Sequence, residues 1–168
     1  MATDLPAGSD VFIDANIFIY HFAGPTAHTE SCSNLLRSIE EGRRAGFASS
    51  LVLAETLHRL MIIEATTALQ IDPKTAVRRL KAQPSLVKQL TRHLTVVDTI
   101  HRIGIEVLSL DDVDVRRSLA LKQDYGLLTN DSLNLAVLLR RRLTCLATND
   151  PDFERVAGLT IWKPASPA

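Results

Sequence analysis

Apolar residues follow two rhythms along this chain. Short, mainly apolar runs such as Val11-Phe12-Ile13, Phe47-Ala48-Ser49, IEVLSL and TCLAT read as strands. Between them apolar positions recur every three to four residues, as amphipathic helices require. The first strand covers about Asp10 to Asp14, and a short helix over Ile17 to Phe22 follows until Gly24-Pro25 breaks it. A second helix is expected from about His28 to Arg44, with Leu35, Leu36 and Ile39 inward and Gly46 ending it. Ser50 is placed to cap LVLAETLHRLMIIEAT, where Leu53, Leu57, Leu60, Met61 and Glu64 share the helical period. Asp72-Pro73 starts one further helix and Pro84-Ser85 another, the latter through about Leu94. IEVLSL is a strand, DDVDVRRSLALKQDYG a helix closed by Gly126, and DSLNLAVLLRRR a helix opened by Asp131. TCLAT and a short Thr160-Ile161-Trp162 complete the strands. Strands alternating with helices need crossover connections, which predicts an α/β fold with a parallel sheet between two helical layers.

One position breaks the pattern. In VFIDANIFIYHF, Asp14 stands where the residues on both sides are apolar. An ionised carboxylate taken out of water needs a partner, or its pKa rises. In open α/β sheets the functional crevice lies beyond the carboxyl ends of the strands. Asp14 ends one strand there, and Asp150 follows TCLAT in the same way. Glu55 lies one turn into the helix leaving Phe47-Ala48-Ser49, and Asp131 opens a helix. These four acids can share one rim. Such a cluster is unstable alone, and a hard divalent cation such as Mg²⁺ reverses the penalty with an all-oxygen shell. Each acid also has a purely structural reading: Asp14 as a helix cap, Glu55 paired with Arg59, Asp131 and Asp150 as cap or turn residues.

Composition narrows the classes. The chain has 168 residues, enough for one domain with its own core, and 46% of them are hydrophobic. Lys+Arg and Asp+Glu balance at 19 each, so net charge points to neither nucleic acid nor membrane. Cys32 and Cys145 form no disulfide framework, and Cys145 reads as a buried thiol of a reducing compartment. No signal-peptide pattern and no membrane-length apolar run is present, so a cytoplasmic location is expected. The five histidines lack zinc-site spacing, and there is neither a GxSxG elbow nor a glycine-rich phosphate loop.

Four motifs in order resemble those of the PIN-domain family: VFIDANIFIY, SSLVLAETLHRL, LLTNDSLNLAVLLRRR and LATNDPDF leading to VAGLTIW. The resemblance covers nearly the whole chain. It implies a sheet of about five parallel strands within three α/β/α layers, and Mg²⁺- or Mn²⁺-dependent hydrolysis of RNA. Carried over by position, Asp14, Glu55, Asp131 and Asp150 would be the metal-binding catalytic acids. Asn16, Thr148 and Asn149 would support them, and Asp152 would assist or be a solvated loop acid. Size and lack of extra domains look most like VapC-type toxins of prokaryotic toxin–antitoxin pairs. That implies an RNA substrate, an antitoxin protein and a homodimer. The apolar faces of Ile17 to Phe22 and Leu51 to Ile63 are candidate grooves for these partners.

The chain is expected to be a single PIN domain, 1–168, with a helical, basic insertion at about 66–103. From Lys74 to Arg102 it carries seven Lys/Arg and one Asp, read either as a surface for RNA phosphates or as a solvated face. Arg140-Arg141-Arg142 ends a helix and is read as structural. Aromatic content of 5% argues against a base-stacking platform. Two other functions stay open: a non-catalytic PIN-like module binding RNA or protein, and a structure-selective DNA nuclease.

Overall fold

The computed structural model describes residues 5–165. Five parallel strands, β1 (Val11–Ile13), β2 (Gly46–Ser49), β3 (Ile105–Leu108), β4 (Cys145–Ala147) and β5 (Thr160–Trp162), form one sheet in the order β3-β2-β1-β4-β5. The central strands β1, β2 and β4 are buried at every residue, which is why they read as continuous apolar runs. Eight α-helices connect the strands: α1 (Ala15–Phe22), α2 (Thr29–Glu40), α3 (Ser50–Ala68), α4 (Ala76–Ala82), α5 (Pro84–Val87), α6 (Val96–Ile103), α7 (Asp112–Tyr125) and α8 (Thr129–Arg140). From β1 the chain steps outward through β2 to β3, and from β3 it crosses back to β4 on the other side of β1. Right-handed crossovers in opposite directions put α1–α6 on one face and α7–α8 on the other. The result is the three-layer α/β/α arrangement with five strands. Among the described residues, no helix is long and apolar enough to cross a membrane.

Element boundaries differ from the sequence reading in instructive places. The helix expected through Arg44 ends at Glu40, and Gly42 takes the left-handed conformation (φ 71°) that closes it. Gly46 does not end that helix but opens β2: a Cβ there would lie 2.6 Å from Ile105 and 2.7 Å from Ile39. Ser49, not Ser50, caps α3, its hydroxyl accepting from the Val52 amide at 3.0 Å. Asp72 accepts from the Lys74 amide in a turn, and α4 starts only at Ala76. The helix expected over Pro84 to Leu94 stops at Val87. A 3₁₀ turn (Arg92–Thr95) then leads into α6, which the reading missed.

That path back to the sheet is fixed by Glu64 of α3. Its buried carboxylate accepts from the amides of Thr91 (2.9 Å), Arg92 (3.0 Å) and His93 (3.4 Å) and contacts His93 Nδ1 at 3.0 Å. Beside it a small apolar cluster of Ala65, Ile71, Ala76, Leu80 and Leu90 stands apart from the main core. The segment between α3 and β3 is therefore an ordered lobe with its own core.

Candidate metal centre

β1 lies where the connections diverge, with β2 on one side and β4 on the other. Its carboxyl end is the switch point at which α/β sheets open a crevice. Asp14 leaves β1 there, and Thr148-Asn149-Asp150 leaves β4 beside it. Glu55 arrives on α3, just past the end of β2, and Asp131 is the third residue of α8 rather than its opener.

Asp14 sits at the N-cap of α1, and Ala15 donates to its Oδ1 at 2.7 Å. Its Oδ2 accepts from Asn16 Nδ2 at 2.5 Å and from the Thr148 hydroxyl at 2.6 Å. Thr148 is fully buried and makes that oxygen a hub, accepting in turn from Asn16 Nδ2 and the Asp150 amide, both at 3.0 Å. Asn149 is held through its amide to Asn16 Oδ1 (3.1 Å) and through Nδ2 to the Tyr20 hydroxyl (3.0 Å). The cap reading of Asp14 is therefore correct and incomplete. Burial pushes its carboxyl up, the Thr148 and Ala15 hydrogen bonds pull it down, and the charges of Glu55 and Asp150 push it up, for a net value of about 6.

Asp131 has no such support: among the described residues, no hydrogen bond or ion pair reaches its carboxylate. Burial first, and then the charges of Asp150, Asp14, Glu55 and Asp152, together raise it to about 6. Carboxylate oxygens of Asp131, Asp150 and Asp152 lie within 4.8 Å of one another, all three half-buried. Asp150 also caps the following 3₁₀ turn, accepting from the Asp152 amide at 2.8 Å, so its turn reading and its place in the cluster both hold. Asp152 pairs with Arg155 at 2.7 Å and still faces the cluster. Glu55 and Arg59 form no ion pair. The rim thus brings Asp131, Asp150 and Asp152 within ligand distance, while Asp14 and Glu55 stand near enough for their charges to be felt there, with Asn16, Thr148 and Asn149 as a hydrogen-bonded frame.

This donor set fits a hard divalent ion. It offers oxygen only, three ligand atoms already converge, and two carboxylates are held where ionisation is unfavourable without added positive charge. The residue types do not separate Mg²⁺ from Mn²⁺.

Three supporting residues escaped the sequence reading. The Ser49 hydroxyl donates to Asn134 Oδ1 at 2.6 Å, tying the β2–α3 corner that carries Glu55 to the helix that carries Asp131. Asn134 is buried among apolar neighbours on α8, one turn beyond Asp131, and a lone amide in LNLAVLL was the available signal. Tyr20, buttressing Asn149, left no signal at all.

Residues 11–159 match the sequence profile of the PIN domain. The chain belongs to the PIN-domain family. Over 151 residues it is 28% identical to Ribonuclease VapC2 of Methanocaldococcus jannaschii, covering 90% of this chain and 91% of that protein. Among solved structures it resembles VapC20 of Mycobacterium tuberculosis, a sarcin–ricin loop cleaving toxin, with a TM-score of 0.61 at 13% identity, covering 94% and 99% of the two chains. It also resembles VapBC2 of Rickettsia felis bound to a promoter DNA fragment, with a TM-score of 0.58 at 18% identity over 92% and 98%. At these identities the structural likenesses speak for the fold, which is the PIN-like α/β/α sandwich.

Proposed function

We propose that this protein is a divalent-metal-dependent endoribonuclease and the toxin of a type II toxin–antitoxin pair in the cytoplasm. The observation that carries this reading is the rim itself. Carboxylates from four separated parts of a PIN-domain chain face one another, and those of Asp14 and Asp131 are held near 6. The ribonuclease name of a relative aligned along nine-tenths of the chain supports RNA as substrate.

Asp14, Glu55, Asp131 and Asp150 are the proposed ligands for Mg²⁺ or Mn²⁺, with Asp152 adjoining. When bound, such an ion would acidify a coordinated water and offset charge developing at the phosphorus. The protein's part is positioning. Asn16 and Thr148 fix one oxygen of Asp14 and the Ala15 amide holds the other, so the carboxylate is set in place where the charges of Glu55 and Asp150 act on it. Thr148 also holds the Asp150 amide, so the ends of β1 and β4 move as one unit. Lys122, donating to Thr129 Oγ1 at 2.8 Å at the start of α8, is a cation close to the rim that can meet a substrate phosphate. No side chain is asked to form a covalent intermediate. Water adds across the phosphodiester, and the displaced sugar oxygen leaves with a proton.

An antitoxin and a second copy of the chain are the proposed protein partners. VapBC assemblies among the structural relatives support the first. Of the two apolar faces expected to bind partners, Ile17, Phe18, Val52 and Leu53 are buried in the chain's own core, which leaves Phe22 and Ile63, beside a cavity of about 150 Å³, as the part still open to a partner.

The test is cleavage of a labelled pool of structured RNAs and single-stranded DNA with Mn²⁺, with Mg²⁺ and with chelator, with Asp14→Asn and Asp131→Asn alongside. Metal-dependent cutting of RNA alone, lost in both variants, is the expected result. Cutting of DNA alone would replace the reading with a DNA nuclease. Metal binding without any cutting would replace it with a binding module.

A further inference from the structure

The chain's zero net charge conceals a strong segregation. Seven of its nineteen Lys/Arg and one of its nineteen Asp/Glu lie between Lys74 and Arg102, so this segment carries a formal +6 and the remainder −6. All seven cations, Lys74, Arg78, Arg79, Lys81, Lys88, Arg92 and Arg102, are exposed. Among the described residues none of them is in an ion pair, whereas Arg140, Arg141 and Arg155 elsewhere are all engaged. Nor is the segment a loose tail. Ala76, Leu80 and Leu90 are buried in its own apolar cluster, and Glu64 pins its return path. An ordered segment that exposes seven cations against a single acid, Asp98, is under repulsion that a polyanion relieves.

We propose that this lobe is a second RNA-contacting surface, one that binds the phosphate backbone of a duplex stem while the rim acts on the same molecule. The proposal rests on the reading of the rim as an RNA-cleaving site. The rim's five acids repel a polyanion, and a bound ion and Lys122 meet it only at the reacting phosphate; the rest of the chain is net acidic, so affinity for the remainder of the substrate must come from elsewhere. The lobe supplies it. It packs on the second half of α3, and Glu55 lies on the first. The ten residues from Glu55 to Ala65 rise about 15 Å, a length that about five stacked nucleotides span. Recognition would be through backbone charge and helix shape, because between Lys74 and Arg102 the only exposed ring on which a base could stack is His101; His93 is turned in on Glu64.

The experiment uses the full chain made cleavage-deficient by Asp14→Asn, with a fluorescently labelled RNA hairpin read by anisotropy across a salt series. Lys74→Gln/Arg78→Gln/Arg79→Gln/Lys81→Gln in that background is expected to weaken binding more than tenfold. It should also lower the slope of log affinity against log salt by about 3, because each phosphate contact contributes nearly one. Arg37→Gln/Arg43→Gln/Arg116→Gln/Arg117→Gln, equal in charge but outside the lobe, should leave the slope within about one of the parent. Should the four-fold lobe variant melt early, Arg78→Gln and Lys88→Gln singly should each lower the slope by about one. Equal losses in both four-fold variants, or unchanged binding in the lobe variant, would overturn the proposal. So would retained RNA affinity with lost binding of polyglutamate, which would make the lobe a surface for acidic protein. Lobe-dependent binding by a protein whose wild type cuts no RNA would sink the nuclease reading and leave this surface standing; the reverse pair of results would do the opposite.

Discussion

Glu64 and Asp14 are both carboxylates set among apolar residues, and the fold treats them in opposite ways. Burial pushes Glu64 up, but the amides of Arg92, Thr91 and His93 and the His93 ring outweigh it, and the carboxyl ends below its ordinary value. Asp14 also accepts three hydrogen bonds, yet burial and the charges of Glu55 and Asp150 leave it at about 6. Asp114 belongs with Glu64. It is 1% exposed and is gripped by Arg140 through Nε at 2.9 Å and Nη2 at 3.0 Å, while also closing the capping box of α7. Asp131 belongs with Asp14, with no partner among the described residues and four acids around it. A carboxylate whose donors are supplied by the chain stabilises the fold. One that is left facing other carboxylates costs stability and is available to an external cation.

The sharpest way to break this division is to neutralise one member of each kind. Asp131→Asn should lower kcat/KM for RNA cleavage at least about 100-fold, a loss of about 3 kcal/mol of transition-state stabilisation. Its melting temperature in chelator should hold or rise. Asp114→Ala should do the reverse. It strands Arg140 and removes the capping box, at a cost of about 3 kcal/mol, which lowers the melting temperature by about 10 °C for a chain of this size. Cleavage assayed well below the melting temperature should stay near the wild-type rate. Loss of activity in Asp114→Ala with its fold intact would erase the distinction.

Titration separates the two kinds by sign. Asp14, raised from 3.8 to about 6, holds its proton more tightly in the folded state. Its favourable contribution is whole below the unfolded pKa and is lost as pH rises through about 6, for a swing of about 3 kcal/mol. Asn at position 14 forfeits one acceptor but carries no charge. Asp14→Asn should therefore be less stable than wild type by about 1 kcal/mol near pH 4 and more stable by about 2 kcal/mol at pH 7, in chelator. Glu64 is lowered, so its contribution is present above the unfolded value of 4.5 and is lost as pH falls through the folded one. Glu64→Gln should lose stability relative to wild type as pH rises toward 4.5, and the deficit should then stay constant at higher pH. Denaturant melts across pH decide both, and parallel curves for the two variants would contradict the assignment.

Much of the fold was legible because β1, β2 and β4 are buried on both sides and read as apolar runs. The same depth made Asp14 conspicuous, and strand-end placement drew in Glu55, Asp131 and Asp150. The lobe was harder to read. Its helices are short, and the turn into α6 is held by Glu64 across nearly thirty residues, a long-range bond with no local trace. Glu64 lay on the apolar stripe of α3 in the sequence, and its partners could not be inferred from that stripe. Arg140 and Arg141 were rightly read as structural, but through the bond to Asp114 and a pair with Glu106 at 2.8 Å rather than through the helix dipole alone.

Smallest in size is the effect expected at the corner where Ser49 was mistaken for its neighbour. The Ser49 hydroxyl both caps α3 and donates to Asn134, so Ser49→Ala leaves one amide uncapped and one buried amide oxygen without its donor. The expected cost is about 1–2 kcal/mol. Ser50 is exposed, and its hydroxyl accepts only from Leu110 at 3.3 Å, so Ser50→Ala should cost a few tenths of a kcal/mol, about the scale of ordinary surface changes. Asn134→Ala removes the same bond from the other side without touching the cap. If the Ser49–Asn134 tie sets the spacing between Glu55 and Asp131, Asn134→Ala should raise the Mn²⁺ concentration needed for half-maximal activity about tenfold, as loss of groups that orient ligands does. Ser49→Thr, which keeps the hydroxyl, should retain the wild-type value. Equal metal requirements in Asn134→Ala and wild type would confine this bond to stability and leave the rim to organise itself from β1 and β4 alone.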